Sequence, residues 1–237
     1  MPQSMLKRLP LAIMACLLAF ALNGCSGDQK YGGSLSGGEV DPAHWLDKIE
    51  EVKSSVVKIE VKGCQESGSG SGFFISNWLV SNRHVLESAA SASFKKNGRQ
   101  IKISKWYLSA TDDLALIPLT QDLGKFDFIQ LAEKDPVPGD LVAAAGFPWG
   151  GPEVSSFGRI LSENTEGSAS SKSFIIETNL DIHPGNSGGP LLDSQGQVVG
   201  VMFAIDTSTN SSLAIPLSRL LANLGQDKKT FISSSSC

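Results

Sequence analysis

Short apolar runs, separated by Gly, Ser, Asn and Pro clusters, recur along most of this chain and are better matched to strands than to long helices. Val56-Val57-Lys58-Ile59-Glu60-Val61 alternates in part, as a half-buried strand does. Gly72-Phe73-Phe74-Ile75 and Trp78-Leu79-Val80 flank Ser76-Asn77, which predicts a hairpin. Leu114 to Ile117 is a continuous apolar stretch stopped by Pro118. Further strands are predicted at Leu141 to Ala145, Gly158 to Leu161, Phe174 to Thr178, Pro190 to Leu192 and Val198 to Phe203. Helical signals are confined to the ends. Asp41-Pro42 forms an N-cap and first-turn proline ahead of a helix over His44 to Lys53, and Leu217 to Leu224 is amphipathic. The pattern predicts an all-β protein whose two halves meet near 120–135.

The beginning of the chain follows a different pattern. Lys7 and Arg8 precede an apolar run from Leu9 to Leu22, then Asn23-Gly24-Cys25. That run is short of the roughly 20 residues a spanning helix needs, and it reads as a secretory signal over 1–24. Leu22-Asn23-Gly24-Cys25 resembles a bacterial lipobox, in which Cys25 carries the lipid and becomes the mature N-terminus. Residues 25–40 are rich in Gly and Ser and predict a flexible tether, with a reach of roughly 20 Å. The expected location is the bacterial cell envelope, on a membrane through the lipid. Of the remaining cysteines, Cys64 and Cys237 can pair in an oxidising compartment or stay as free thiols. The polar tail, 227–237, is predicted to be mobile unless that bridge forms.

Composition narrows the partners. Asp and Glu outnumber Lys and Arg 24 to 20, and no basic stripe or aromatic series offers a nucleic-acid surface. No Cys/His set has zinc spacing, so no metal or cofactor is expected.

Three segments carry candidate chemistry. In Pro184-Gly185-Asn186-Ser187-Gly188-Gly189-Pro190, glycines allow a tight turn around a serine that apolar Leu191-Leu192 would root in a core strand. A serine hydroxyl needs a base to become a nucleophile, and amide donors to stabilise the oxyanion that results. The chain has three histidines, His44, His84 and His183. His84 follows the strand Leu79-Val80-Ser81 and opens a short helical segment, where an imidazole can accept and return a proton. Thr111-Asp112-Asp113-Leu114 places carboxylates at the mouth of an apolar strand, suited to orient an imidazole. The residues alone leave Asp112 and Asp113 both open.

Taken together, the segments resemble a trypsin-like serine protease of the HtrA (Deg) type. Gly68-Ser69-Gly70-Ser71-Gly72-Phe73 is similar to that family's glycine-rich entry strand, and Leu79 to Val85 to its histidine segment. Asp113-Leu114-Ala115 matches its Asp-Leu-Ala element, which selects Asp113. Gly146-Phe147-Pro148-Trp149-Gly150 and Ala214-Ile215-Pro216 extend the likeness to about Leu224. The resemblance implies two antiparallel six-stranded β-barrels with short terminal helices. The first, 41–125, would hold His84 and Asp113, and the second, 126–226, Ser187 and the C-terminal helix. It implies a His84-Asp113-Ser187 triad, an acyl-enzyme, and an oxyanion hole from the N–H groups of Gly185 and Ser187. The substrates would be proteins or peptides of the envelope; the alternative is an inactive binding or chaperone-like module on the same fold. No PDZ domain is expected after Leu224. Asp181 stands where trypsin-like enzymes keep an Arg/Lys-binding carboxylate, with His183 beside it, so both are pocket candidates. HtrA-like pockets take small or medium apolar side chains, which gives a loop-structural role to Asp181.

Overall fold

The computed structural model describes residues 42–63, 66–119, 127–166, 173–226 and 232–233. The signal at 1–24, the tether at 25–40 and the assignments to Cys25, Cys64 and Cys237 lie outside them.

Helix α1 (Pro42–Lys53) opens the described chain, starting at its proline. Seven strands then build the first sheet: β1 (Val56–Gly63), β2 (Ser67–Ile75), β3 (Trp78–Ser81), β4 (Ala89–Lys96), β5 (Arg99–Ile103), β6 (Tyr107–Leu108) and β7 (Ala115–Pro118). A one-turn helix, α2 (Arg83–Leu86), follows β3. The chain crosses over before β8 (Leu141–Gly146), β9 (Val154–Glu166), β10 (Ser173–Thr178), β11 (Pro190–Leu192), β12 (Val198–Asp206) and β13 (Ser211–Pro216). Helix α3 (Leu217–Gly225) closes this half, and a two-residue β14 (Ile232–Ser233) ends the described residues.

The fold is mostly β, and its two sheets differ. The second is a closed six-stranded barrel in the order β10-β13-β12-β11-β8-β9. The first is an open, eight-stranded half-barrel, β14-β6-β7-β3-β2-β1-β4-β5. Its free edge, β5, carries Arg99, Gln100 and Lys102, all exposed, a composition that discourages further strand pairing. At the other edge, Ile232 and Ser233 pair with Leu108 and Tyr107, so this part of the predicted mobile tail returns to the first sheet.

The continuous apolar runs are explained by burial on both faces. Phe73, Val80, Leu114 and Leu116 join Ala143, Leu192, Val201 and Ile215 in a core shared by the two sheets, capped by Trp45 of α1 and Leu220 of α3. Their neighbours Phe74, Leu79, Ala115 and Ile117 face the other way, into a core belonging to the first sheet. The shared core brings together Val80 of β3, Leu116 of β7 and Leu192 of β11.

Candidate active site

Strand β3 runs into α2 at Asn82, which has extended backbone and no exposed surface. His84 therefore emerges at the start of a turn anchored by buried Val80 and Leu86. Asp113 comes from the loop before β7, the neighbour of β3. The His84 backbone N–H donates to Asp113 Oδ1 at 2.9 Å, and the ring Nδ1 lies 2.6 Å from Oδ2. Both carboxylate oxygens are thus committed to one residue. Asn82 Nδ2 donates to the Asp113 carbonyl at 2.8 Å, and Arg83 Nη1 to the Ser109 carbonyl at 3.0 Å, so the histidine turn grips the aspartate loop twice more.

Asp112 faces elsewhere. Its Oδ1 accepts Arg219 Nε at 2.7 Å and Nη2 at 2.6 Å, and its Oδ2 accepts Asn223 Nδ2 at 2.7 Å and Thr111 Oγ1 at 2.8 Å. The adjacent carboxylates separate two tasks: Asp113 meets the imidazole, and Asp112 ties the loop to α3.

Ser187 lies on the loop before β11. Its carbonyl accepts the Ser71 N–H at 2.8 Å, which docks the loop onto β2. Gly70 marks the crossing point: a Cβ there would come within 2.7 Å of the Val85 side chain and 3.2 Å of the Ser187 carbonyl. The residue after His84 and the candidate nucleophile therefore pack against one glycine. Gly188, at φ 87°, is wedged against the Ser71 carbonyl, the Ser81 hydroxyl and the Asn82 N–H, leaving no room for a side chain. Ser187 Oγ itself donates to the Phe203 carbonyl at 3.4 Å, long for an O–H···O bond. Phe203 sits where the β12–β13 register shifts, and it is a site residue for which the linear pattern offers no signal.

The backbone around Ser187 is sorted by its partners. The Asn186 N–H donates to the His183 carbonyl at 3.0 Å and the Gly188 N–H to the Met202 carbonyl at 2.8 Å. Among the described residues, the N–H groups of Gly185 and Ser187 have no protein acceptor. The Trp149 N–H holds the Pro184 carbonyl at 2.6 Å. In a planar trans peptide the next N–H points the opposite way, so Gly185 N–H is turned from the 147–150 turn. Gly185 has φ 105°, and a Cβ on it would run into the Phe147 carbonyl.

Asp181 and His183 lie upstream on the same loop. The Asp181 side chain is 86% exposed, and its Oδ1 is 3.6 Å from His183 Nε2. The His183 ring stacks on Trp149 at 5.5 Å and 24°. The Asp181 N–H donates to Ser156 Oγ at 2.9 Å, which ties this part of the loop to β9. His44 lies on exposed surface of α1. Among the described residues no group of three His, Cys, Asp or Glu side chains is placed to hold a metal ion.

A closed barrel beside a curled antiparallel sheet, with a His–Asp pair on one and a glycine-flanked serine on the other, defines the trypsin-like class. The chain belongs to the trypsin-like peptidase domain family, whose model matches residues 70–201. It is 34% identical over 164 residues to a probable periplasmic serine endoprotease, DegP-like, of Marinomonas sp. (strain MWYL1), covering 64% of this chain and 34% of that protein. Among solved structures it shares the fold of the Rv3671c protease from M. tuberculosis in its active form, with a TM-score of 0.70 and 22% identity, covering 84% of this chain and 90% of that one. The HtrA-type protease AlgW with tripeptide matches with a TM-score of 0.68 and 25% identity, over 76% of this chain and 62% of that one. The chain spans about a third of the length of the curated relatives it matches.

Proposed function

We propose that this chain is a serine endopeptidase that cleaves proteins of the bacterial envelope, with His84, Asp113 and Ser187 as its triad. The observation that carries the reading is the His84–Asp113 pair, both carboxylate oxygens engaged, across Gly70 from a serine loop with two uncommitted amides. Asp113 keeps the proton on Nδ1, which leaves Nε2 as the base. Ser187 Oγ gives its proton to Nε2 and attacks the carbonyl carbon. The amides of Gly185 and Ser187 receive the developing oxyanion, each worth roughly 3–4 kcal/mol of barrier. His84 then protonates the leaving amine, and water, deprotonated by the same ring, hydrolyses the acyl-enzyme.

The bond from Ser187 Oγ to the Phe203 carbonyl favours, at first sight, an inactive binding module. A 3.4 Å contact holds the hydroxyl weakly, and rotation about the Cα–Cβ bond carries Oγ from that carbonyl. Catalytic hydrogen bonds commonly tighten only once substrate is bound. A fluorophosphonate probe separates the two readings: the wild type is expected to label at Ser187 and degrade unfolded casein, and Ser187→Ala to do neither. An unlabelled, inert wild type leaves the binding module as the better account.

Preference for basic residues at the cleavage site is not supported. A carboxylate that reads a buried ammonium or guanidinium belongs at the closed end of a pocket, and Asp181 is in solvent beside His183. The proposed substrate site therefore takes apolar side chains, with Asp181 and His183 at its margin. The leader supports an envelope address, and the mature chain would be held by lipid on Cys25, facing the periplasm or the exterior. Cys25→Ser is expected to move the protein from the membrane fraction to the soluble fraction, or to leave it unprocessed; unchanged fractionation with normal processing would rule out acylation.

A further inference from the structure

We infer that Ser71 is a positioning residue for the oxyanion loop, holding in place the two amides that the proposed mechanism uses. The inference rests on that mechanism and gives the glycine-rich strand segment a purpose beyond its shape.

Ser71 lies in β2 with no exposed surface, and every polar group it carries has a partner. Its N–H donates to the Ser187 carbonyl at 2.8 Å. Its hydroxyl donates to the Gly185 carbonyl at 2.7 Å and accepts the Phe147 N–H at 3.0 Å. Its own carbonyl accepts the Ser81 hydroxyl at 2.7 Å. One residue thus fastens the carbonyls at both ends of the tripeptide Gly185-Asn186-Ser187. The amides of the two end residues are the proposed donors.

The tether matters because of what it restrains. Gly185 is at φ 105°, and a glycine has little intrinsic preference among backbone conformations, so its peptide planes go where external bonds hold them. The Trp149 N–H fixes the plane before Gly185, and the Ser71 hydroxyl fixes the plane after it. The same hydroxyl holds Phe147, two residues from Trp149, so both restraints on Gly185 meet at Ser71. The flanking glycines admit this packing: a Cβ at Gly70 would press on Val85 and the Ser187 carbonyl, and one at Gly72 would come within 2.7 Å of Ile59 and 2.9 Å of the Val80 carbonyl. Gly-Ser-Gly is thus a close-approach strand with one hydroxyl reaching across.

Ser71→Ala keeps the amide bond to Ser187 and removes the hydroxyl that holds Gly185 and Phe147. We expect kcat for a peptide amide to fall by about 100-fold with KM within about twofold, since the loss is felt where the oxyanion forms. Affinity for a peptide boronic acid, whose tetrahedral adduct places an oxygen in the same hole, should fall by the same factor as kcat/KM. Fluorophosphonate labelling of Ser187 should still run to completion, only more slowly. Thr178→Val is the comparison: it removes a buried hydroxyl, bonded to the Ser212 carbonyl, without touching Ser71, Gly185 or Ser187, and kcat should stay within about threefold. Equal loss in Ser71→Ala and Thr178→Val, or wild-type kcat and boronate affinity in Ser71→Ala, overturns the inference. Should Ser71→Ala not fold, Ser71→Cys keeps the side-chain volume with a weaker donor, and wild-type kinetics in that variant overturns it equally. A wild type that neither labels nor cleaves overturns the peptidase reading and, with it, the role given to Ser71.

Discussion

His84→Ala and Ser187→Ala are each expected to lower kcat by about a millionfold, and the double variant to be no worse than either alone. The non-additivity follows from the roles: without a base the hydroxyl is not a nucleophile, and without the hydroxyl the base has no proton to take. Residual hydrolysis, about a thousandfold over water, would come from the amides of Gly185 and Ser187. Neither change should unfold the protein. The His84 side chain is 44% exposed, and its backbone N–H keeps the bond to Asp113 Oδ1 in an alanine variant. Ser187 Oγ gives up only its long contact with the Phe203 carbonyl. Melting temperatures should therefore stay within about 2 °C of wild type, and turnover near wild type in either variant would refute the assignment.

The site was more legible in the chain than the sheets around it, for a chemical reason. A proton-transfer serine needs glycines, a base and a carboxylate, and few residue types can fill those places, so His84 and Ser187 stand out as candidates without any fold, while the residues alone leave Asp112 and Asp113 both open. The apolar pattern predicts no strand at β4 or β5, although Asn97-Gly98 is a strong turn signal and both residues take positive φ, 52° and 73°. Ala89-Ala90-Ser91-Ala92-Ser93 flanks that turn with small side chains, so the alternation that buries Ala92 and Phe94 has little hydrophobic contrast to reveal it. The resemblance places the last strand at Ala214-Ile215-Pro216, whereas β13 also includes Ser211 and Ser212. Their hydroxyls are in fact satisfied inside the structure, on Glu177 and the Leu180 carbonyl. Long-range facts left no trace in one dimension. The bond from Ser71 to Gly185 spans 114 positions, and neither residue type announces it. The exposure of Asp181 is similarly invisible: its distance from Ser187 along the chain says nothing about depth.

Asp113→Asn should lower kcat by about ten-thousandfold at neutral pH, and Asp112→Asn should chiefly lower stability. The first expectation follows from two hydrogen bonds. The backbone N–H of His84 donates to Oδ1, so an asparagine must keep its oxygen there and turn its NH2 toward the ring. The NH2 donates, which makes Nδ1 the acceptor and puts the ring proton on Nε2. An imidazole in that tautomer cannot take the proton of Ser187. The fold should tolerate the exchange, since every atom keeps a partner. Asp112 is different in kind. Its side chain is 7% exposed and receives four donors, two of them from Arg219. An amide in its place turns an NH2 toward either Arg219 or Asn223 and leaves the guanidinium without its counter-charge. We expect a loss of about 2 kcal/mol, less than for a fully buried pair because Arg219 remains 30% exposed. In a chain of this size that corresponds to a fall of about 4–8 °C in melting temperature. Below the transition kcat should stay within about tenfold of wild type, because Asn82, Arg83 and His84 still hold the aspartate loop from the other side. Steady-state kinetics and thermal melts on the two variants check both halves of the argument. If Asp112→Asn lost the rate and Asp113→Asn lost only stability, the orienting carboxylate would have to be reassigned.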